Sequence, residues 1–137
     1  MVEKILFVCK YNRFRSKVAE SIFNRLNKNR NFKVKSAGII KGSPINIFQK
    51  SVCKGMGIII RGEPIGLSSS LLKWQDITVV VADDVPLSIF KENIKYGKKL
   101  ISWRIRDAKS DNKEEVQKII KAIEEKVKNV VRRLYEK

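Results

Sequence analysis

Lys4-Ile5-Leu6-Phe7-Val8 is an unbroken apolar run of β-formers, the pattern of a strand buried on both faces. From Ser16 the period becomes helical: Val18, Ala19, Ile22, Phe23 and Leu26 share one face, and polar Asn27-Lys28-Asn29-Arg30-Asn31 closes it. Phe32-Lys33-Val34-Lys35 alternates as a second strand and stops at Ser36-Ala37-Gly38. A loop with Gly42 and Pro44 leads to a helix through Phe48, Val52 and Met56, closed by Gly55 or Gly57. Gly62 to Ser70 reads as loop and Leu71-Leu72-Lys73-Trp74 as a short helix. Ile77-Thr78-Val79-Val80-Val81 is the most strand-like stretch, broken by Asp83-Asp84-Val85-Pro86. Lys99-Leu100-Ile101-Ser102-Trp103 is the last expected strand. One long helix follows, with Asp111 and Glu114 as its capping box and a buried stripe of Val116, Ile119, Ile120, Ile123, Val127, Val130, Val131 and Leu134.

Strands that alternate with helices predict an α/β fold: a small four-stranded parallel sheet, helices on both faces, right-handed crossovers. At 137 residues the chain is expected to form a single domain over 1–137, long enough to bury a core. In such sheets, sites lie at the carboxyl ends of strands. Cys9 stands at the end of the first.

Composition narrows the chemistry. The chain has two cysteines, Cys9 and Cys53, and no histidine. That excludes His-based triads, His metal sites, a zinc pattern and a secreted disulfide framework. Acid–base work falls to Asp, Glu, Cys, Lys or Tyr. Met1-Val2-Glu3-Lys4 leads straight into strand-like sequence, with neither a signal peptide nor a bilayer-length apolar run, so a cytoplasmic protein without membrane contact is expected. Lys and Arg number 30 against 14 Asp and Glu, a formal charge of +16. Such a field attracts acidic proteins, phosphorylated substrates and nucleic acid. The cations are scattered, however, and a solvated Lys-rich surface is the simpler account.

The chemistry concentrates between Cys9 and Ser16. Strand, tight loop and helix start make an anion cradle, with backbone N–H groups pointing inward and a helix N-terminus adding partial positive charge. A cysteine there is expected to be stabilised as thiolate. The planar fork of Arg15 can clamp two phosphate oxygens. Ser16 can hydrogen-bond the sulfur and ease its later departure, and Asn12 tolerates the left-handed backbone that tight loops use. Lys10, Tyr11, Arg13 and Phe14 complete the phosphate-binding loop. The competing account is a buried structural cysteine with a coincidental arginine; the strand–loop–helix setting argues against it.

With Cys9, Asn12, Arg15, Ser16, Ala19 and Glu20 in these positions, the stretch resembles the low-molecular-weight protein tyrosine phosphatases and their arsenate reductase relatives. Ser36-Ala37-Gly38 is similar to that family's second-strand ending, and Gly57-Ile58 to the turn after its second helix. Ile101-Ser102-Trp103-Arg104-Ile105-Arg106-Asp107-Ala108 resembles the segment that delivers its general acid. The resemblance implies a metal-independent, cofactor-free phosphatase acting on a phosphorylated protein or small phosphate monoester, with phosphotyrosine foremost. Cys9 would form a phosphocysteine, Arg15 would hold the equatorial oxygens, and Asp107 would protonate the leaving oxygen and then assist water. Asp83 and Asp84, at the end of the third strand, are rivals for the acid, or else groups that support the site; Ser36, at the end of the second, is a candidate supporting group only; a turn role for Asp107 is the alternative.

The chain departs from the family pattern at several points. Tyr11 replaces a glycine, Phe14 a second cysteine, Ala108 the proline after the acid, and Ala108-Lys109 stand where tyrosines often follow; the family's histidine has no counterpart. Tyr11 and Trp103 are candidate aromatic walls. Two rival functions remain. An arsenate reductase would need an external thiol, since no sulfur follows the third strand and Cys53 reads as a small buried residue. A non-catalytic anion- or nucleic-acid-binding module is motivated by the charge and by Lys10, Arg13, Arg104 and Arg106, expected to ring the pocket; no nucleic-acid-reading motif supports it.

Overall fold

In the computed structural model, which describes residues 3–136, the first apolar run is strand β1 (Glu3–Cys9), and Ile5 to Cys9 are all buried. The reason is that both faces of the strand are covered. Ile5 and Phe7 point into one core, Leu6 and Val8 into another. The larger core lies under helices α1 (Arg15–Leu26), α2 (Ile47–Gly55) and α5 (Lys113–Tyr135). The smaller one lies under α3 (Ser69–Trp74) and a 3₁₀ turn (Leu87–Phe90), which runs on into α4 (Lys91–Lys95). Met1, Val2 and Lys137, part of the domain expected over 1–137, lie outside the described residues.

Strands β2 (Phe32–Gly38), β3 (Ile77–Val80) and β4 (Lys99–Ser102) complete an all-parallel sheet of order β2-β1-β3-β4. The α/β expectation of a small four-stranded sheet with helices on both faces holds. From β1 the chain crosses to β2 on one side and then to β3 on the other. The loops after β1 and β3 therefore diverge, which opens a crevice at the carboxyl ends of these two neighbours. The loop from Cys9 to Arg15 sits there.

Elements differ from the expectations in detail. Helix α5 is capped one residue later: Asn112, not Asp111, accepts from Glu115 N at 2.9 Å. A side chain must leave the strand-like backbone in the right direction to cap, and the box motif alone does not show which of two neighbours does. The 3₁₀ turn and α4 are too short to leave a periodic trace. Among the described residues no helix is long and apolar enough to cross a membrane.

Candidate active site

The loop from Cys9 to Arg15 bends tightly, and two residues make the bend. Asn12 adopts φ +56, the left-handed backbone its side chain tolerates. Gly38, at the end of β2, lies so close to the loop that an added Cβ would come within 2.6 Å of Asn12 N and of Tyr11 C. The neighbours are backbone atoms and cannot step aside. Gly38→Ala is expected to lower stability by about 1–3 kcal/mol, as overpacked sites do, and to displace the loop. Urea denaturation checks the first effect; an unchanged midpoint would contradict it.

Asn12 is completely buried and its amide orientation is determined by its partners. Ile65 N donates to Oδ1 at 2.8 Å, so Nδ2 must be the donor to Ser16 Oγ at 2.7 Å and Ser36 Oγ at 3.0 Å. Ser36 donates onward to Glu20 Oε1 at 2.7 Å. Ser16 Oγ accepts from Asn12 and lies 3.0 Å from Cys9 Sγ, with a hydrogen free to donate to a thiolate. The relay from Glu20 through Ser36, Asn12 and Ser16 thus holds a hydroxyl at the sulfur. Ser36 bridges Asn12 and Glu20, and Glu20 gains a contact that the resemblance alone did not assign.

Helix α1 begins at Arg15, and its cap residue Phe14 supplies no side-chain hydrogen bond to the first turn. Its opening N–H groups therefore face the loop without a side-chain cap, as an anion site requires. Phe14 itself is buried in the main core.

Arg15 is only 2% exposed. Nη1 donates to Ile105 O at 2.9 Å, and Nη2 meets both carboxylate oxygens of Asp84 at 3.0 and 3.1 Å. Asp83 lies 3.6 Å from Nη1 and Asp107 3.8 Å from Nη2. Nε–H has no partner among the described residues, and a planar guanidinium has donors to spare for an anion. Ile105 O also accepts from Asp83 N at 3.1 Å. That shared carbonyl ties the segment before Asp107 to the exit of β3.

Cys9, Tyr11, Arg13, Phe14, Arg15 and Asp107 line one cavity of about 200 Å³. Asp83 and Asp84 are not among its lining residues; both reach Arg15 instead. Several expectations need correction. Arg104 and Arg106 do not line the cavity, and Arg106 pairs instead with Glu115 at 3.1 Å. Lys10 is not a lining residue either, its ammonium lying 5.2 Å from the Tyr11 ring centroid. Arg13 does line it, pinned through Nε and Nη2 to Pro44 O at 3.3 and 3.2 Å. Trp103 is no wall: it is buried against Phe7 with ring centroids 5.9 Å apart. Tyr11 lines one side, while Ala108 and Lys109 stand on the lining contributed by the Asp107 segment.

Sequence reasoning missed Asn46 and Gln49, which α2 brings to the cavity, and Lys109 to Asp111. Asn46 caps α2, accepting from Gln49 N at 2.7 Å. An Asn ahead of an apolar helical pattern is a cap signal, but it does not show which loop the residue faces. Cys53 is fully buried, and burial pushes its thiol up to about 12, against a smaller lowering by a backbone hydrogen bond. It stays a protonated core residue. Among the described residues no group of three or more Cys, Asp or Glu is placed to hold a metal ion.

The profile described as low molecular weight phosphotyrosine protein phosphatase matches residues 4–137. No curated protein matches the chain at a comparable threshold. Among solved structures, the fold is similar to the YwlE arginine phosphatase from Geobacillus stearothermophilus, with a TM-score of 0.83, 20% identity, and coverage of 98% of this chain and 94% of that one. A low molecular weight protein tyrosine phosphatase from T. tengcongensis gives a TM-score of 0.83 at 23% identity, covering 96% and 99%. An arsenate reductase from Archaeoglobus fulgidus gives 0.71 at 24% identity, covering 93% and 98%.

Proposed function

The chain belongs to the low molecular weight phosphotyrosine protein phosphatase family, and we propose that within it the protein is a metal-independent phosphatase working through a phosphocysteine. The observation that carries this reading is one shared cavity: it is lined by Cys9, Arg15 and Asp107, while a serine hydroxyl lies 3.0 Å from the sulfur.

Cys9 attacks phosphorus as thiolate, forming the S–P bond as the ester P–O bond breaks. The loop N–H groups, the start of α1 and Arg15 hold the equatorial oxygens while charge redistributes. Asp107 enters protonated and gives its proton to the departing oxygen. In the second step it accepts a proton from water, whose oxygen bonds to phosphorus as the S–P bond breaks. The sulfur leaves as thiolate, stabilised by the Ser16 hydroxyl. Phosphate and the starting enzyme are regenerated. Asp83 and Asp84 hold Arg15 rather than the reacting atoms.

A phosphorylated protein is the expected partner, with phosphotyrosine its leading residue and the cytoplasm its expected setting. A second reading of the substrate is favoured by the cavity lining. Tyr11 supplies an aromatic side, but Ala108 and Lys109 supply no second ring to enclose a phenol. Phosphoarginine, the substrate class named for a structural neighbour, does not need that enclosure. Relay reduction of arsenate lacks support: Val81 to Pro86 carries no sulfur and Cys53 is a buried thiol.

Turnover of p-nitrophenyl phosphate in EDTA, followed by phosphotyrosine and phosphoarginine peptides, tests the activity and separates the two substrates. Asp107→Asn is expected to reduce kcat/KM about 10²-fold or more, with the greater loss on esters of poor leaving groups. Equal loss on good and poor leaving groups would remove Asp107 from the acid role. No wild-type turnover of any of these substrates would sink the phosphatase reading.

A further inference from the structure

Asp107 sits on an irregular segment that spans residues 103–112 between β4 and α5 and contains no proline. Something must hold an acid steady on such a segment, since misplacement by about 1 Å can cost about 10²-fold in rate. The first turn of α5 supplies the grip. Glu115 Oε1 accepts from Lys109 N at 2.7 Å, and Glu115 Oε2 pairs with Arg106 Nη1 at 3.1 Å. One carboxylate therefore grasps the segment on both sides of Asp107. Arg106 Nη1 also reaches Asp107 O at 3.5 Å, and Asp107 Oδ1 accepts from Ala108 N at 2.9 Å. Glu115 itself is anchored, its N–H donated to the Asn112 cap at 2.9 Å. Helix α5 packs on α1, whose first residue is Arg15.

We infer that Glu115 is a positioning residue, strapping the Asp107 segment to α5 so that the acid faces the cavity that Cys9 and Arg15 line. This rests on the phosphatase reading above and on Asp107 as its acid. The strap needs a charged carboxylate, and the Glu115 carboxyl lies below its usual value of 4.5, chiefly because Lys109 N–H donates to it. A depressed carboxyl contributes above the unfolded value and loses its contribution as pH falls through the folded one. The strap is therefore complete near neutral pH and opens only in acid.

Leaving-group dependence separates positioning from simple helix capping. Wild type, Glu115→Ala, Glu115→Gln, Asp107→Asn and the Glu115→Ala/Asp107→Asn pair are compared on phenyl phosphate and p-nitrophenyl phosphate, with melting temperature measured alongside. In Glu115→Ala, kcat/KM is expected to fall about 10-fold on phenyl phosphate and less than about 3-fold on p-nitrophenyl phosphate, because only the poor leaving group depends heavily on the acid. Glu115→Gln keeps an acceptor for Lys109 N–H but loses the charge, and should fall between; it also serves if the alanine variant folds poorly. Added to Asp107→Asn, the Glu115 change should cost little more, since it acts through that residue. A lower melting temperature with an unchanged phenyl to p-nitrophenyl ratio would overturn the inference while leaving Asp107 as the acid. An unchanged ratio in Asp107→Asn itself would remove the acid assignment, and the inference with it.

Discussion

Cys9→Ser is expected to abolish turnover, lowering kcat by more than about 10⁴-fold, as removal of a covalent nucleophile does. A hydroxyl keeps its proton far more firmly than a thiol, so it needs a base to attack phosphorus. The side chain within hydrogen-bond distance of Sγ is Ser16, a hydroxyl far too weak as a base to take that proton. Nothing in that arrangement would take a proton from the substituted hydroxyl. The exchange is close in shape at a residue only 3% exposed, so the melting temperature and the binding of inorganic phosphate should survive. Acid-quench and steady-state assays read the chemistry, and calorimetry reads the binding. Turnover retained within about 10-fold would show that phosphorus is attacked by another group.

Arg15→Lys is expected to lower kcat/KM about 10³-fold, the scale of losing a preorganised donor at developing charge. It should destabilise the fold as well. The guanidinium satisfies Ile105 O and both oxygens of Asp84 from a nearly inaccessible position. A single ammonium cannot span that fork and also reach a phosphate. The stability loss should be about 1–2 kcal/mol, below that for breaking a fully buried ion pair because the Asp84 side chain is 36% exposed. Urea denaturation separates the two effects. Asp84→Asn keeps Arg15 but weakens its anchor, and should show a smaller loss in both measurements. If Arg15→Lys lost stability but not activity, Arg15 would be an anchor for the Asp107 segment and not a phosphate ligand.

The loop could be read from the chain because its parts are contiguous. Cys9, Asn12, Arg15 and Ser16 lie within one strand–loop–helix passage, whose backbone direction largely settles which way they point. The left-handed Asn12 and the start of α1 follow from local sterics and periodicity. Arg104 and Arg106 were misread because alternate charges near a pocket look equivalent in sequence. One of them is claimed by Glu115, on the next helix. Trp103 was misread because an aromatic residue at the end of a strand can turn either toward the crevice or under the sheet. Packing against Phe7 takes it under.

The parallel sheet, its two covered faces and the Cys9 loop can be read along the chain, since they depend on apolar periodicity and on residues near one another. Helix and strand packing in three dimensions brings Asp84 onto Arg15, Asp107 and α2 to the cavity, and the first turn of α5 onto the Asp107 segment. Those contacts link residues far apart in the chain, 90 positions for Arg15 and Ile105. They depend on strand order and on helix packing, which bring distant segments together in a way no local pattern encodes.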